Sequence, residues 1–206
     1  MMFLINSGKQ TFTSRTRFDL QKDGVLVNDM YDGCFVLSLD STLSSRNIKL
    51  TGCFGAYSDE EFTLEGNFLA IKLPGVAFNR TVLSMIPSIG HGDLSYIDGC
   101  SNSGIIPPPR NGDPCVNYLF FPKGTVQTWH THPSARIGFV IAGSGTAHLP
   151  TGNVPLVAGS CFYLDRHTNH YFSTTDSEMA LLTFHPDSDS GPTDEFNPMK
   201  SRTYVK

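Results

Sequence analysis

The apolar residues of this chain come in runs too short for helices and divided by turn-forming residues. "DGVLVND", "GCFVLSLD", "NIKLTGCFGAY", "EFTLEGNFLAIKLPG" and "TVLSMIP" follow one another through roughly the first 90 residues. After an interval, "VNYLFFPKG", "TVQTWHTH", "RIGFVIAGSG", "TAHLP", "VPLVAGSCFYLD", "NHYFSTT" and "EMALLTFHP" resume the pattern. Runs of this length, bounded by Gly, Pro, Asn and Asp, form strands. Many of them at close intervals make a sandwich or barrel. Gly66-Asn67 in "LEGNFLAIKL" is expected to turn a hairpin.

The interval from Ser88 to Cys115 holds five Gly and four Pro, among them Pro107, Pro108 and Pro109. Proline lacks a backbone donor, so this stretch is expected to be a surface connector and not a central strand. From Asp187 the tail carries Asp189, Asp194 and Glu195 without the spacing of a calcium loop, and it reads as a solvated acidic turn. The chain thus divides into three parts. Residues 1–111 are a strand-rich extension or degenerate half-barrel with its connector, 112–186 a barrel, and 187–206 a tail. Exposed strand edges and the proline-rich connector suggest a homodimer with exchanged arms.

Composition narrows the function classes. Charged residues make up 17% of the chain, against about 25% in ordinary globular proteins. This fits much buried β structure. The net charge of −4 offers no surface for nucleic acid or anionic membranes. No apolar run reaches the roughly 18 residues of a membrane helix, and "MMFLINSGKQ" lacks the parts of a secretory signal. Cys34, Cys53, Cys100, Cys115 and Cys161 are scattered, without a CxxC pair, as expected of thiols in a reducing cytoplasm.

On a strand, residues two apart share a face. His130 and His132 therefore point together, with Trp129 and Thr131 turned away. Two imidazoles so placed can chelate a divalent ion, although His-x-His alone is a weak signal. Further on, "GSCFYLDRHTNHYFST" reads as a strand, a tight turn and a second strand carrying His170. An antiparallel strand there brings His170 in as a third ligand.

At these residues the chain resembles the cupin superfamily. Gly124, five residues, then His130-Thr131-His132 and a run ending at Gly143 match its first motif. Gly159, five residues, then Asp165-Arg166-His167-Thr168-Asn169-His170 match its second. The departures are as informative. The family's glutamate falls at Arg136 or Ile137, its proline at Asp165, its glycine at His167 and its asparagine at Thr174. The resemblance implies an all-β cupin barrel of the jelly-roll type, with a metal on His130, His132 and His170 and no carboxylate. Among cupins, three-histidine iron sites resemble those of thiol dioxygenases and gentisate-type ring-cleaving dioxygenases. The expected cofactor is one divalent ion, Fe(II), with Zn, Ni or Mn fitting the same cage. The expected activity is dioxygenation of a small anionic molecule. A redox-silent lyase or isomerase, or a binding module without turnover, are the alternatives.

Other side chains are candidates around that centre. Arg136 either holds a substrate carboxylate or faces solvent at the barrel rim. His167 is either a turn residue or an aid to catalysis. Thr128 shares the parity of His130 and is expected to line the cavity. Tyr118, alternating with Phe120, either lines it or joins the core. His185 ends a strand within reach of the site or packs at the surface. Tyr163 and Tyr171 are further hydrogen-bonding candidates, while His91, His148 and Cys161 are expected to be inert.

Overall fold

The computed structural model describes residues 1–13, 17–29, 33–73, 78, 80–86, 88–110 and 112–187. Apart from one 3-10 turn at Ile97–Gly99, its regular elements are strands. They are β1 (Met2–Leu4), β2 (Gly8–Thr13), β3 (Arg17–Asn28), β4 (Cys34–Ser45), β5 (Lys49–Ser58), β6 (Phe62–Lys72), β7 (Thr81–Met85) and β8 (Leu94–Ser95). There follow β9 (Ser101–Ile106), β10 (Cys115–Phe121), β11 (Arg136–Leu149), β12 (Gly152–Val157), β13 (Cys161–Leu164), β14 (Tyr171–Ser173) and β15 (Met179–His185). Among the described residues no helix is long and apolar enough to cross a membrane.

The strands form two sheets. One runs β2-β3-β6-β4-β5-β7. The other runs β1-β13-β11-β15-β10-β9-β8, with β12 and β14 paired to the far half of β11. β11 turns the corner of the barrel: it begins against β13 and β15 and ends against β12 and β14. Its register against β15 slips between Val140 and Ala142. At the corner Gly143 has φ of 69°, and a Cβ there would lie 1.8 Å from the Glu178 carbonyl oxygen.

Alternation along each strand sorts side chains into separate cores. Phe35 and Leu37 of β4 meet Ala180, Leu182 and Phe184 of β15 in the core between the sheets. The Phe35 and Phe184 rings lie edge to face at 4.9 Å. Cys34 and Val36 face the other side of the N-terminal sheet. Phe162, Leu164, Met179 and Leu181 point into the C-terminal barrel.

The fold is all-β and barrel-forming, as the sequence suggests, but the parts join differently. The barrel sheet takes β1, β8 and β9 from before residue 112, so a boundary there cuts through it. β9 lies inside the sheet between β8 and β10, within the stretch read as a connector. The proline triplet begins only after Ile106 and ends that strand without interrupting it. Gly66-Asn67 does not turn a hairpin. β6 runs straight through it, and β4 absorbs the irregularity as a register slip between Ser38 and Asp40. Asp189, Asp194 and Glu195 of the tail lie outside the described residues.

The close approach at Gly143 yields a test. Gly143→Ala should cost more than about 2 kcal/mol, since both the left-handed φ and the carbonyl oppose a methyl group. Gly104→Ala, with nothing within 4 Å, serves as the control. Urea unfolding of both variants measures this, and equal midpoints would show that the corner is not tight.

Candidate metal centre

The two ligand segments lie mostly outside regular strands, and backbone bridges hold them together. His130 and His170 exchange N–H···O bonds of 2.9 and 3.0 Å in an isolated antiparallel bridge. A second bridge joins Val126 to Ser173. Between them Gln127 is buried. Its N–H donates to Phe172 O, and its Oε1 accepts the Phe172 N–H at 3.2 Å. The Thr174 hydroxyl closes the loop by accepting the Thr125 N–H and donating to Pro122 O. Thr174 stands where the family has asparagine, and a hydroxyl suffices for this clamp.

The three imidazoles converge. Ring centroids of His130 and His170 are 4.4 Å apart, and each lies 5.1 Å from that of His132. One candidate ligand atom from each residue lies within 4.8 Å of the others. His130 Nδ1 is 2.8 Å from Thr128 O, and His170 Nδ1 is 2.8 Å from Thr168 O. A carbonyl only accepts, so each Nδ1 carries the proton and each Nε2 keeps its lone pair. His170 Nε2 is buried and has no hydrogen-bond partner among the described residues. A buried basic nitrogen beside two other imidazoles fits a divalent ion.

Electrostatics favour the ligand form of His170. Burial pushes its pKa down to about 4, with His130 and the Arg136 cation adding to the effect against the Thr168 hydrogen bond. It is therefore neutral at pH 7, the state that binds metal.

His132 and His170 open onto a cavity of about 110 Å³ inside the barrel, lined also by Arg136, Phe162, Thr183 and His185. Arg136 is 3% exposed, so it does not face solvent at a rim. Its Nη1 donates to Ser134 O, Ser134 Oγ and Ala135 O. The two residues before β11 thus hold the guanidinium in the cavity wall. His185 is also buried and lines the cavity, beside Thr183 on the same face of β15. No Asp or Glu is among the described lining residues.

Other candidates stand elsewhere. Thr128 is exposed; its N–H and hydroxyl bond Asp98 Oδ2 and Oδ1 at 2.6 and 3.2 Å. Strand parity fails at Thr128 because Asp98 holds this segment in place of a ladder. Tyr118 is buried between the sheets, its hydroxyl donating to Gly90 O at 2.7 Å, while Asn117 and Leu119 line the cavity. His167 is exposed at φ of 55°, and its N–H donates to His132 O. Its backbone shapes the turn, and its ring does not line the cavity. Tyr163 faces the intersheet core, and Tyr171 stacks on His148 at 4.2 Å. Burial raises the Cys161 thiol pKa, which keeps it protonated. Tyr96, Asn102, Asn117 and Thr183 were not anticipated as cavity residues. Parity along β15 from His185 carries the signal for Thr183, whereas nothing in the sequence signals Tyr96 and Asn102.

Comparison with known proteins agrees with this fold. The family model described as "Cupin domain" matches residues 117–185. No curated protein matches the chain. Among solved structures it is similar to the putative glyoxylate induced protein of Pseudomonas aeruginosa, at 15% identity and a TM-score of 0.61, covering 91% of this chain and 80% of that one. A salicylate 1,2-dioxygenase variant from Pseudoaminobacter salicylatoxidans matches at 9% identity and 0.61, covering 84% and 72%. AerE from Microcystis aeruginosa matches at 12% identity and 0.55, covering 89% and 96%. Identities this low bear on fold alone.

The depressed His170 has a consequence for stability. An imidazole whose folded pKa lies below its unfolded value takes its proton more readily when unfolded. Stability of the metal-free protein should therefore rise with pH from about 4 to about 6.5 and gain nothing more from this group above that. Urea unfolding in chelator should show wild type losing on the order of 1–3 kcal/mol more than His170→Asn between about pH 7 and pH 4. Parallel pH profiles would remove the assignment.

Proposed function

Residues 117–185 match the cupin domain model, and from that premise we propose that the chain is a cupin acting as an iron(II)-dependent dioxygenase of a small organic anion. One observation carries this reading: three imidazoles converge where two of them, His132 and His170, line a cavity together with the buried Arg136, and no carboxylate is among its described lining residues. Uncharged ligands leave the full charge of a divalent ion in place, and Arg136 adds another positive charge. Such a site favours anions. The fold shared with a salicylate dioxygenase is consistent with this chemistry.

His130, His132 and His170 would hold the ion. Iron(II) there would supply the one-electron chemistry that lets dioxygen react with a closed-shell molecule. Thr128 O and Thr168 O fix the rotation of two imidazoles through their Nδ1–H groups. Arg136 binds a substrate carboxylate and orients it toward the histidines. Phe162, Leu164, Phe172 and Leu181 line the cavity with apolar surface and displace water around the reacting groups. The chain is also proposed to be cytoplasmic and a homodimer joined through exposed strand edges. Light scattering should then give twice the chain mass of 22.6 kDa, and a monomer at micromolar concentration would exclude the dimer.

Metal analysis of protein purified without added metal tests the main reading. Wild type should carry about one ion per chain, and His132→Ala should lose affinity by about 100-fold or more. Oxygen consumption with iron loaded should follow addition of a carboxylate substrate. Arg136→Met should raise the KM for that substrate by about 10- to 100-fold with metal content unchanged. Zinc-supported turnover without oxygen would replace the dioxygenase by a lyase or isomerase on the same ligands.

A further inference from the structure

One row of residues crosses the inner wall of the barrel. Phe162 of β13 stands opposite Gly138 of β11, Gly138 opposite Thr183 of β15, and Thr183 opposite Asn117 of β10. A Cβ on Gly138 would lie 2.1 Å from the Phe162 ring, so the ring already fills the space above that glycine. Phe162 is 1% exposed and fixed by its packing against Phe172 at 5.7 Å. It is a rigid wall of the cavity.

Thr183 comes next in the row. It is 3% exposed, it lines the cavity, and its Oγ1 is buried with no hydrogen-bond partner among the described residues. A hydroxyl so placed is available to a hydrogen-bonding group that enters the cavity. Asn117 beside it adds a carboxamide to the same wall. The far side of the cavity is therefore apolar at Phe162 and polar at Thr183 and Asn117.

Size decides the rest. The cavity measures about 110 Å³. A benzene ring alone occupies a protein cavity of about 150 Å³, and drug-sized ligands need about 300 Å³ or more. A space of this size favours a short aliphatic acid over an aromatic one.

We infer that the substrate is a short-chain aliphatic carboxylate bearing a hydroxyl or oxo group, with Thr183 bonding that group and Phe162 excluding aromatic acids. This rests on the reading that Arg136 holds the carboxylate beside a metal on the three histidines.

Calorimetric titration of the cobalt(II)-loaded protein with lactate, propionate and salicylate tests it, with the visible spectrum of the cobalt as a second readout. Lactate should bind about 5- to 10-fold more tightly than propionate, and salicylate should bind at least about 10-fold more weakly than lactate. Thr183→Val should abolish the advantage of lactate over propionate while leaving propionate affinity within about twofold. Phe162→Ala should admit salicylate with a gain of about 10-fold or more. Phe162→Leu, a milder enlargement, serves in its place should the alanine variant not fold.

Salicylate binding wild type as tightly as lactate would overturn the size limit while the metal site stood. Equal weakening of lactate and propionate in Thr183→Val would overturn the polar contact and make Thr183 structural. Failure to take up cobalt would defeat the metal reading instead. The ranking of the three acids on the metal-free protein would then decide the substrate class by itself.

Discussion

Two backbone hydrogen bonds between His130 and His170 set the geometry of this molecule's centre. Residues paired across an antiparallel bridge project their side chains to the same side. The bridge therefore brings two imidazoles together without any force between the rings themselves. His132 is fixed from the other segment, by the His167 N–H to His132 O bond. Neither segment belongs to a continuous ladder. Gln127, Asp98 and Thr174 stand in for the missing ladder bonds by using side chains on backbone groups. The candidate metal centre is thus a small patch of sheet held together from outside it.

The barrel around this patch keeps chemistry and packing on opposite faces of the same strands. On β15, Ala180, Leu182 and Phe184 enter the core between the sheets, while Leu181, Thr183 and His185 face the cavity. β10 does the same with Tyr118 and Phe120 against Asn117 and Leu119. A buried cation is costly unless it is hydrogen-bonded. Arg136 meets that demand with the oxygens of Ser134 and Ala135. The guanidinium is consequently held in one place in the cavity wall.

Much of this was legible in the sequence, and the failures have definite causes. Short strand-length runs gave the all-β class, and paired histidine spacings located His130, His132 and His170. Parity placed Trp129 outside correctly but put Thr128 in the cavity, because parity holds only where a ladder exists. Asp98, which displaces Thr128, sits about thirty residues away in a glycine-rich stretch with no periodicity. Composition also misled for β9: Gly and Pro cluster around it, yet the prolines fall just beyond its last residue. Arg136 occupies the slot of the family's glutamate, and the sequence left its burial undecided. The depth of a side chain at a barrel mouth depends on strands brought from elsewhere, here β13 and β15.

Trp129 is the chain's one tryptophan. It is half-exposed on the outer side of the ligand segment, next to His130, with its ring 4.7 Å from Tyr171 and edge-on to it. Tyr171 in turn directly follows His170 in the chain. The indole and the phenol thus ride on the two backbones that the central bridge joins. The molecule carries its own optical label, and a change in the bridge that leaves the barrel intact would register as a change in tryptophan emission.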